Sequence, residues 1–282
     1  MHNRQRRLAR TITLGALATL VSSLCVQAQT APLAPQPASG EPAPPAPNHG
    51  ELTLYTSAHH LTAGLGHWRE LGVRGSYTAA AHVLQGEAAT MRRFGESGQF
   101  IGLGDTYTFD DDWFGSLSVG AGDGASYLPR VRLDAFIHRK LLSERNLVVS
   151  LGAGHYRAPD GHSDRNASLG ATYYFSEPWI LQGELRLNNS RPGSVNTHQQ
   201  FLALTWGRDK QTQVTARHGW GREGYQTIGN GNVLVDLASH ETHLNLRHWL
   251  GPDWGLSAEV ERYSSPYYRR TGGTLGLFWE LP

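Results

Sequence analysis

RNASLGATYYFSEPWILQGELRLNN, residues 165–189, is the stretch that decides the fold. Its first half sets Ala167, Leu169, Ala171, Tyr173 and Phe175 against Asn166, Ser168, Gly170, Thr172 and Tyr174. Its second half sets Trp179, Leu181, Gly183, Leu185 and Leu187 against Ile180, Gln182, Glu184, Arg186 and Asn188. Successive side chains of a strand point to opposite faces, so period-two alternation gives each half one apolar and one polar face. Between the halves, Phe175-Ser176-Glu177-Pro178-Trp179 is a tight turn, built on the Ser and Pro that turns favour. Large rings flanking such a turn are what a transmembrane β-hairpin presents where membrane meets water.

The pattern recurs. Phe109-Asp110-Asp111-Asp112-Trp113 and Leu250-Gly251-Pro252-Asp253-Trp254 are two further copies of the turn. Arg130 to Lys140 and Thr271 to Leu281 alternate in the same way. After residue 50 no segment holds an apolar stripe at helical spacing for three turns, and none approaches the roughly 20 apolar residues of a membrane helix. The spacing predicts an all-β chain: a transmembrane, antiparallel, up-and-down β-barrel of about 14 strands, with 12 as the alternative count. The strands fall at 51–61, 66–77, 81–92, 98–109, 113–122, 130–141, 147–157, 165–175, 179–189, 197–206, 212–221, 240–250, 254–263 and 271–281. Short turns are expected near 78–80, 110–112, 142–146, 176–178, 207–211 and 251–253. Longer or Gly-rich outer connections are expected near 93–97, 123–129, 158–164, 190–196, 222–239 and 264–270. A soluble sandwich or lipocalin-like barrel also alternates. Here, however, the second face carries Arg, Asp, Glu and Gln, too polar for a dry core, and strands of about ten residues match a tilted crossing.

The ends of the chain agree with an outer-membrane destination. Residues 1–28 have the form of a secretory signal, with Arg4, Arg6, Arg7 and Arg10 ahead of the short apolar run Thr11 to Val21. Cys25 is the only cysteine and would leave with that signal, which removes thiol chemistry and cysteine metal sites from the mature chain. Removing the four arginines takes 25 basic residues to 21 against 24 acidic ones, a balance that offers nothing to nucleic acid. Residues 29–50 hold seven of the fourteen prolines and form an extended periplasmic linker. Residues 51–282 form the barrel. At its end, Thr274, Gly276, Trp279 and Leu281 match the spacing of the β-signal by which barrel-assembly machinery recognises its substrates, although Pro282 follows.

The run Gly251-Pro252-Asp253-Trp254, the segment Arg262-Tyr263-Ser264 and the Gly-rich finish Thr271-Gly272-Gly273-Thr274-Leu275-Gly276 resemble the YaiO family of outer-membrane β-barrels. So does the hairpin Leu169 to Leu187. The resemblance covers most of residues 51–282. It implies a surface-membrane barrel, similar in some members to the barrel portions of exopolysaccharide export systems, and it supplies no catalytic residues. In those systems a helical-repeat region precedes the barrel, where this chain has the Pro-rich linker.

Function is sought on the lumen face. There the register places Arg132, Asp134, His138 and Lys140 on one strand, and Gln182, Glu184 and Arg186 on another. It adds Arg217, then His243, Asn245 and Arg247, then Glu259 and Glu261. Charged groups and amides hydrogen-bond hydroxyls, and the rings of Tyr156 and Tyr174 offer stacking faces. This set predicts a passage or docking site for a polar polymer such as an exopolysaccharide or oligosaccharide. The same residues also suit a sealed structural or interaction barrel stiffened by ion pairs. The loop 222–239, with Gly229-Asn230-Gly231-Asn232, is expected to be mobile and to gate the lumen, with Val233, Leu234, Val235 and Leu237 as an inward plug. Trp113, Trp179, Trp254 and Trp279 are expected at the membrane interface. A third reading, a lipid-modifying enzyme, rests on Gly161-His162-Ser163-Asp164 alone, and the chain is expected not to be an enzyme. Fourteen histidines invite a metal, but His59 and His60 diverge, His243 and His248 diverge, and His240 and His248 lie far apart, so no metal or cofactor is expected. Expected partners are the outer-membrane bilayer, the assembly machinery, and a polysaccharide or periplasmic export partner, with the barrel as a monomer.

Overall fold

The computed structural model describes residues 49–282 apart from 177, 208, 209 and 230. The segments expected to form a signal and a linker, through residue 48, and Glu177, Arg208, Asp209 and Asn230 in the expected turns and loop lie outside the described residues. Fourteen strands follow in chain order: β1 His49–Leu61, β2 Gly66–Ala79, β3 His82–Arg93, β4 Glu96–Thr108, β5 Trp113–Gly122, β6 Val131–Leu141 and β7 Leu147–Arg157 come first. Then come β8 Ser163–Tyr174, β9 Trp179–Arg191, β10 Val195–Gly207, β11 Thr212–Thr227, β12 Val233–Trp249, β13 Trp254–Ser264 and β14 Arg269–Leu281. Each pairs antiparallel with its sequence neighbours, and β1 closes on β14 from Gly50↔Leu281 to Leu61↔Arg270. Closure leaves no free edge, which a spanning sheet requires because lipid offers no hydrogen-bond partners.

Alternation sorts the side chains as the sequence predicts. The large aliphatics are the exposed residues: Leu54 at 47%, Leu103 at 59% and Leu275 at 65%. Their exposure makes them the lipid-facing band. On the other face, Phe278, Tyr263, Arg132 and Asp134 are buried in the lumen. Trp113, Trp179, Trp254 and Trp279 are all exposed, and all sit at the strand ends nearest the chain termini. In β13–β14 Trp254 stands opposite Trp279, and in β9–β10 Trp179 stands opposite Trp206. This ring of aromatics marks one membrane boundary. Trp279 and Leu281 point outward on β14 while Thr274 and Gly276 point inward, on the strand that closes the barrel.

Two expectations need correction. The barrel begins at His49 rather than 51, because the ladder with β2 runs back to His49↔Thr78. Outer connections are also not uniformly long. β3 and β4 are joined by Phe94 and Gly95 alone, both at positive φ, and β9 and β10 by residues 192–194. The ladder simply continues beyond the membrane, since paired backbone is satisfied in water as well as in lipid. The 222–239 segment is the largest case: β11 and β12 stay in register to Thr227↔Val233, leaving only the turn 228–232.

Backbone chemistry fixes the turns at the aromatic end. Gly207 closes β10 with φ +120°, and a Cβ there would lie 2.0 Å from the Thr212 carbonyl oxygen. Gly207→Ala is therefore expected to destabilise the barrel by about 1–3 kcal/mol. Urea unfolding of the refolded protein in micelles checks this; an unchanged midpoint would show that the turn rearranges freely.

Candidate functional site

The lumen is packed along one wall and open along the other. The packed wall runs through β12, β13, β14, β1 and β2. Near the aromatic end, Arg247 bonds Glu51 at 2.7 and 3.0 Å and lies 3.6 Å from the Phe278 ring centroid. Trp249 Nε1 donates to Glu280 at 2.7 Å. Midway, Glu241 on β12 is met at 2.6 Å by Arg217 from the neighbouring β11, and His243 Nδ1 lies 3.2 Å from Glu259. Higher, Glu261 accepts from Arg270 Nε at 2.6 Å and lies 3.3 Å from His59 Nε2. Arg270 is sandwiched between the rings of Trp68, at 4.6 Å, and Tyr263, at 4.9 Å. Arg247, Glu261, Arg270 and His243 on this wall each meet an oppositely charged or hydrogen-bonding group, as a confined lumen demands.

The open wall encloses a cavity of about 150 Å³. Six of the sequence-derived lumen residues line it: Arg132, Asp134, His138, Glu184, Arg186 and Arg217. Arg132 meets Asp134 at 2.5 Å and Arg186 meets Glu184 at 2.9 Å. Both pairs are i, i+2 on one strand face, the spacing that keeps both ends in the lumen. His138 is held by Ser150 at 2.7 Å and stacks on Phe114 with centroids 4.4 Å apart. Tyr156 also lines the cavity, and Arg217 lies 4.3 Å over the Phe201 ring. Of the buried donor atoms on this wall, Tyr156 Oη, Arg186 Nε and Arg217 Nε have no hydrogen-bond partner among the described residues.

The remaining sequence-derived residues face the lumen away from the cavity. His243, Arg247, Glu259 and Glu261 belong to the packed wall, and Asn245 stands in register with Glu259. Lys140 sits toward the aromatic end, 5.9 Å from the Phe114 ring centroid, and Gln182 stands opposite Ala203. Tyr174 closes β8 at the same end. Sequence reasoning missed Glu241, Asp164, Asn166 and Glu223, all of which line the cavity. Glu241 was legible: it shares parity with His243 and Arg247 on one strand. Glu223 was not, because its segment was read as a loop.

The enzyme candidate does not assemble. His162 is buried and bonds Asp160 at 3.1 Å, while Ser163 is paired between Arg157 and Arg191 with the opposite parity to His162 and Asp164. Donor atoms of His243, Glu259 and Glu261 lie within 4.8 Å of one another, a spacing a cation could use. Arg270 already neutralises Glu261, and His243 reaches Glu241 as well as Glu259, so the group is complete as an ion-pair network.

The expected mobile gate is an ordered hairpin. β11 bends at Gly221, φ +149°, where a Cβ would lie 2.3 Å from the His198 carbonyl oxygen. Asp236, at φ 51°, bends the returning strand. Beyond the bend, residues 223–227 are buried on both faces. Tyr225 donates to the Pro192 carbonyl and packs 4.6 Å from His162. Ile228 and Leu234 pack on Leu61, Trp68, Tyr263 and Tyr268, and the Gly229 backbone abuts Phe94 between β3 and β4. Of the four apolar residues expected to plug the lumen, Leu237 is buried and Leu234 joins this cluster, while Val235 is exposed and Val233 half-buried. The hairpin thus crosses the mouth and touches loops from both sides of the barrel. A second cover is the loop 123–130, whose Tyr127 donates to the Met91 carbonyl at 2.9 Å. Burial pushes the Tyr127 phenol up to about 12, so it stays a donor at neutral pH.

A closed, lipid-faced barrel with a charged lumen defines a porin-like protein of the outer membrane. A family model described as the YaiO membrane beta barrel domain matches residues 49–226, and the chain belongs to that family. Among solved structures the barrel is similar to the CymD monoaromatic hydrocarbon channel, at 7% identity and TM-score 0.56, over 83% of this chain and 88% of that one. It is also similar to a bacterial polysaccharide outer membrane secretin, at 12% and 0.53, over 83% and 98%. The COG4313 outer membrane channel from Pseudomonas putida F1 matches at 11% and 0.51, over 87% and 98%. At these identities the likeness is one of fold. A search of curated proteins found no match.

Proposed function

We propose that the barrel takes a polar, hydroxyl-rich polymer such as an oligosaccharide into its lumen, for docking or passage. The observation that carries this reading is the half-open lumen. One wall is packed shut with ion pairs, while the other lines a cavity where Tyr156 Oη, Arg186 Nε and Arg217 Nε have no hydrogen-bond partner among the described residues, beside the Phe114–His138 stack. Hydroxyl groups supply acceptors for such donors, and a pyranose face suits an aromatic stack. The opposite charges alternate along the cavity in Arg132–Asp134 and Glu184–Arg186, which favours a neutral or sparsely charged chain over a polyanion.

The second reading, a sealed scaffold, draws support from the packed ends of the lumen at Arg247–Phe278 and at the covering hairpin. Charge reversal at Glu184→Arg separates the two. A passage is expected to shift toward anion selectivity in planar bilayers and to lose block by oligosaccharide fragments about tenfold, in line with rings of charge setting selectivity. A barrel that stays silent in both forms, with only its unfolding midpoint changed, would instead be a scaffold.

A further inference from the structure

The outward face of the barrel changes character at the end opposite the aromatic ring. Tyr77 on β2, Tyr173 on β8, Trp206 on β10 and Trp254 on β13 stand in or beside that ring. Eight residues further along the same outward face stand Arg69, Arg165, His198 and Arg262. All four are exposed. A tilted strand crosses the apolar layer in roughly 9–11 residues, so these side chains emerge at the opposite membrane boundary. His49, Pro282 and the aromatic turns lie at the other end, which makes this the outer rim.

Register joins these arginines to histidines and threonines in a belt. His218, Thr242, Arg262, Thr271, His60 and His67 are successive partners in one row across six strands, from β11 round to β2. On the next strand pair Arg69 stands directly opposite Arg92. Further round, Arg165 faces His155 on one side and Asn189 on the other. Like charges directly opposite on a sheet are destabilising, and Arg69, Arg92, Arg165 and Arg262 have no carboxylate partner among the described residues. Asp236 is on this face, but it is taken by Arg222 at 2.7 Å. The aromatic end contrasts: there Arg145 is paired with Asp111 and Asp112, and Lys210 with Asp253 and Glu280. Arginines left without a carboxylate around a rim, at headgroup depth, are matched by an external anion. Arginine forks bind phosphate oxygens in pairs, and threonine and histidine add single donors.

We propose that this belt binds the phosphate groups of a phosphorylated glycolipid in the outer leaflet. The lipid's acyl chains would lie against the leucine-rich band below, so one molecule meets both surfaces. The Arg69–Arg92 pair is its strongest subsite, because an anion there also relieves a like-charge contact.

The test uses protein extracted from outer membranes, as wild type and as Arg69→Gln/Arg92→Gln/Arg262→Gln. Native mass spectrometry reads retained glycolipid, and thermal shifts read affinity for bisphosphorylated lipid A, its dephosphorylated form and inorganic phosphate. Wild type is expected to bind bisphosphorylated lipid A about tenfold more tightly than the triple variant does, with the dephosphorylated lipid weaker and inorganic phosphate weaker still. In lipid-free detergent the triple variant is expected to melt no lower than wild type, since a repulsion has been removed. Arg139→Gln, a cation at the opposite rim, is expected to retain lipid as wild type does. Equal retention by the triple variant overturns the proposal. So does inorganic phosphate binding as tightly as the glycolipid, or a loss of stability in the variant that is the same with and without lipid A. Should the triple variant not fold, Arg262→Gln and Arg165→Gln singly carry the same comparison.

Discussion

Replacing residues 224–236 by a two-residue Asn-Gly turn between Glu223 and Leu237 is expected to raise single-channel conductance at least about tenfold, by uncovering the lumen mouth. Glu223 and Leu237 are register partners, so an Asn-Gly turn of the kind that favours type I′ hairpins closes the shortened ladder without changing its pairing. The deletion removes Tyr225, Ile228 and Leu234, which hold the hairpin against Pro192, His162 and the Trp68 cluster. It leaves the strand lengths in the membrane untouched. Conductance in planar bilayers is the measurement, with heat-modifiable migration on gels as the folding control. A folded variant that conducts no better than wild type would mean that the ion pairs of the lumen, rather than the hairpin, block the path. The sealed-scaffold reading would then gain over passage.

Arg270→Met is expected to cost about 3–5 kcal/mol of stability, because it strands a buried carboxylate. Arg270 is 3% exposed and is the principal cation on Glu261, with the rings of Trp68 and Tyr263 on either side. Methionine keeps most of the packing volume and removes the charge. His59 remains 3.3 Å from Glu261, a single ring nitrogen in place of a guanidinium. Adding Glu261→Gln to the same chain is expected to recover most of the loss, since a neutral amide tolerates burial that a lone charge does not. Urea midpoints of wild type, single and double variants in micelles decide the matter. A single variant within about 1 kcal/mol of wild type would show that water enters this wall and screens the charge.

Much of the site was legible because strand periodicity assigns every residue to one of two faces. Arg132, Asp134, His138, Glu184, Arg186 and Arg217 could be put in the lumen from parity alone. Parity says nothing, however, about which inward residues meet across the barrel. Arg247 finds Glu51, 196 residues away, only because β1 closes on β14 and brings the chain ends together. His243 and Glu261 likewise belong to a finished network, and nothing in their local sequence separates them from the cavity residues. The 222–239 segment was misread for another reason. Glycine serves as a bend residue in one place and a turn residue in another: Gly221, just ahead of the segment, turns the hairpin over the mouth, whereas Gly229 and Gly231 close its tip. Composition cannot tell a bend followed by paired strand from a mobile loop.

Local periodicity and turns a few residues long were enough to establish the barrel, a count of about 14 strands with 12 still open, its lipid and lumen faces and its aromatic boundary. Tertiary structure alone decided which wall of the lumen is packed and which is open, that the outer mouth is crossed by a hairpin, and that basic residues from separate strands align into one belt. Those features depend on cross-strand register and closure, which join residues far apart in the chain through backbone hydrogen bonds that no short stretch of sequence encodes.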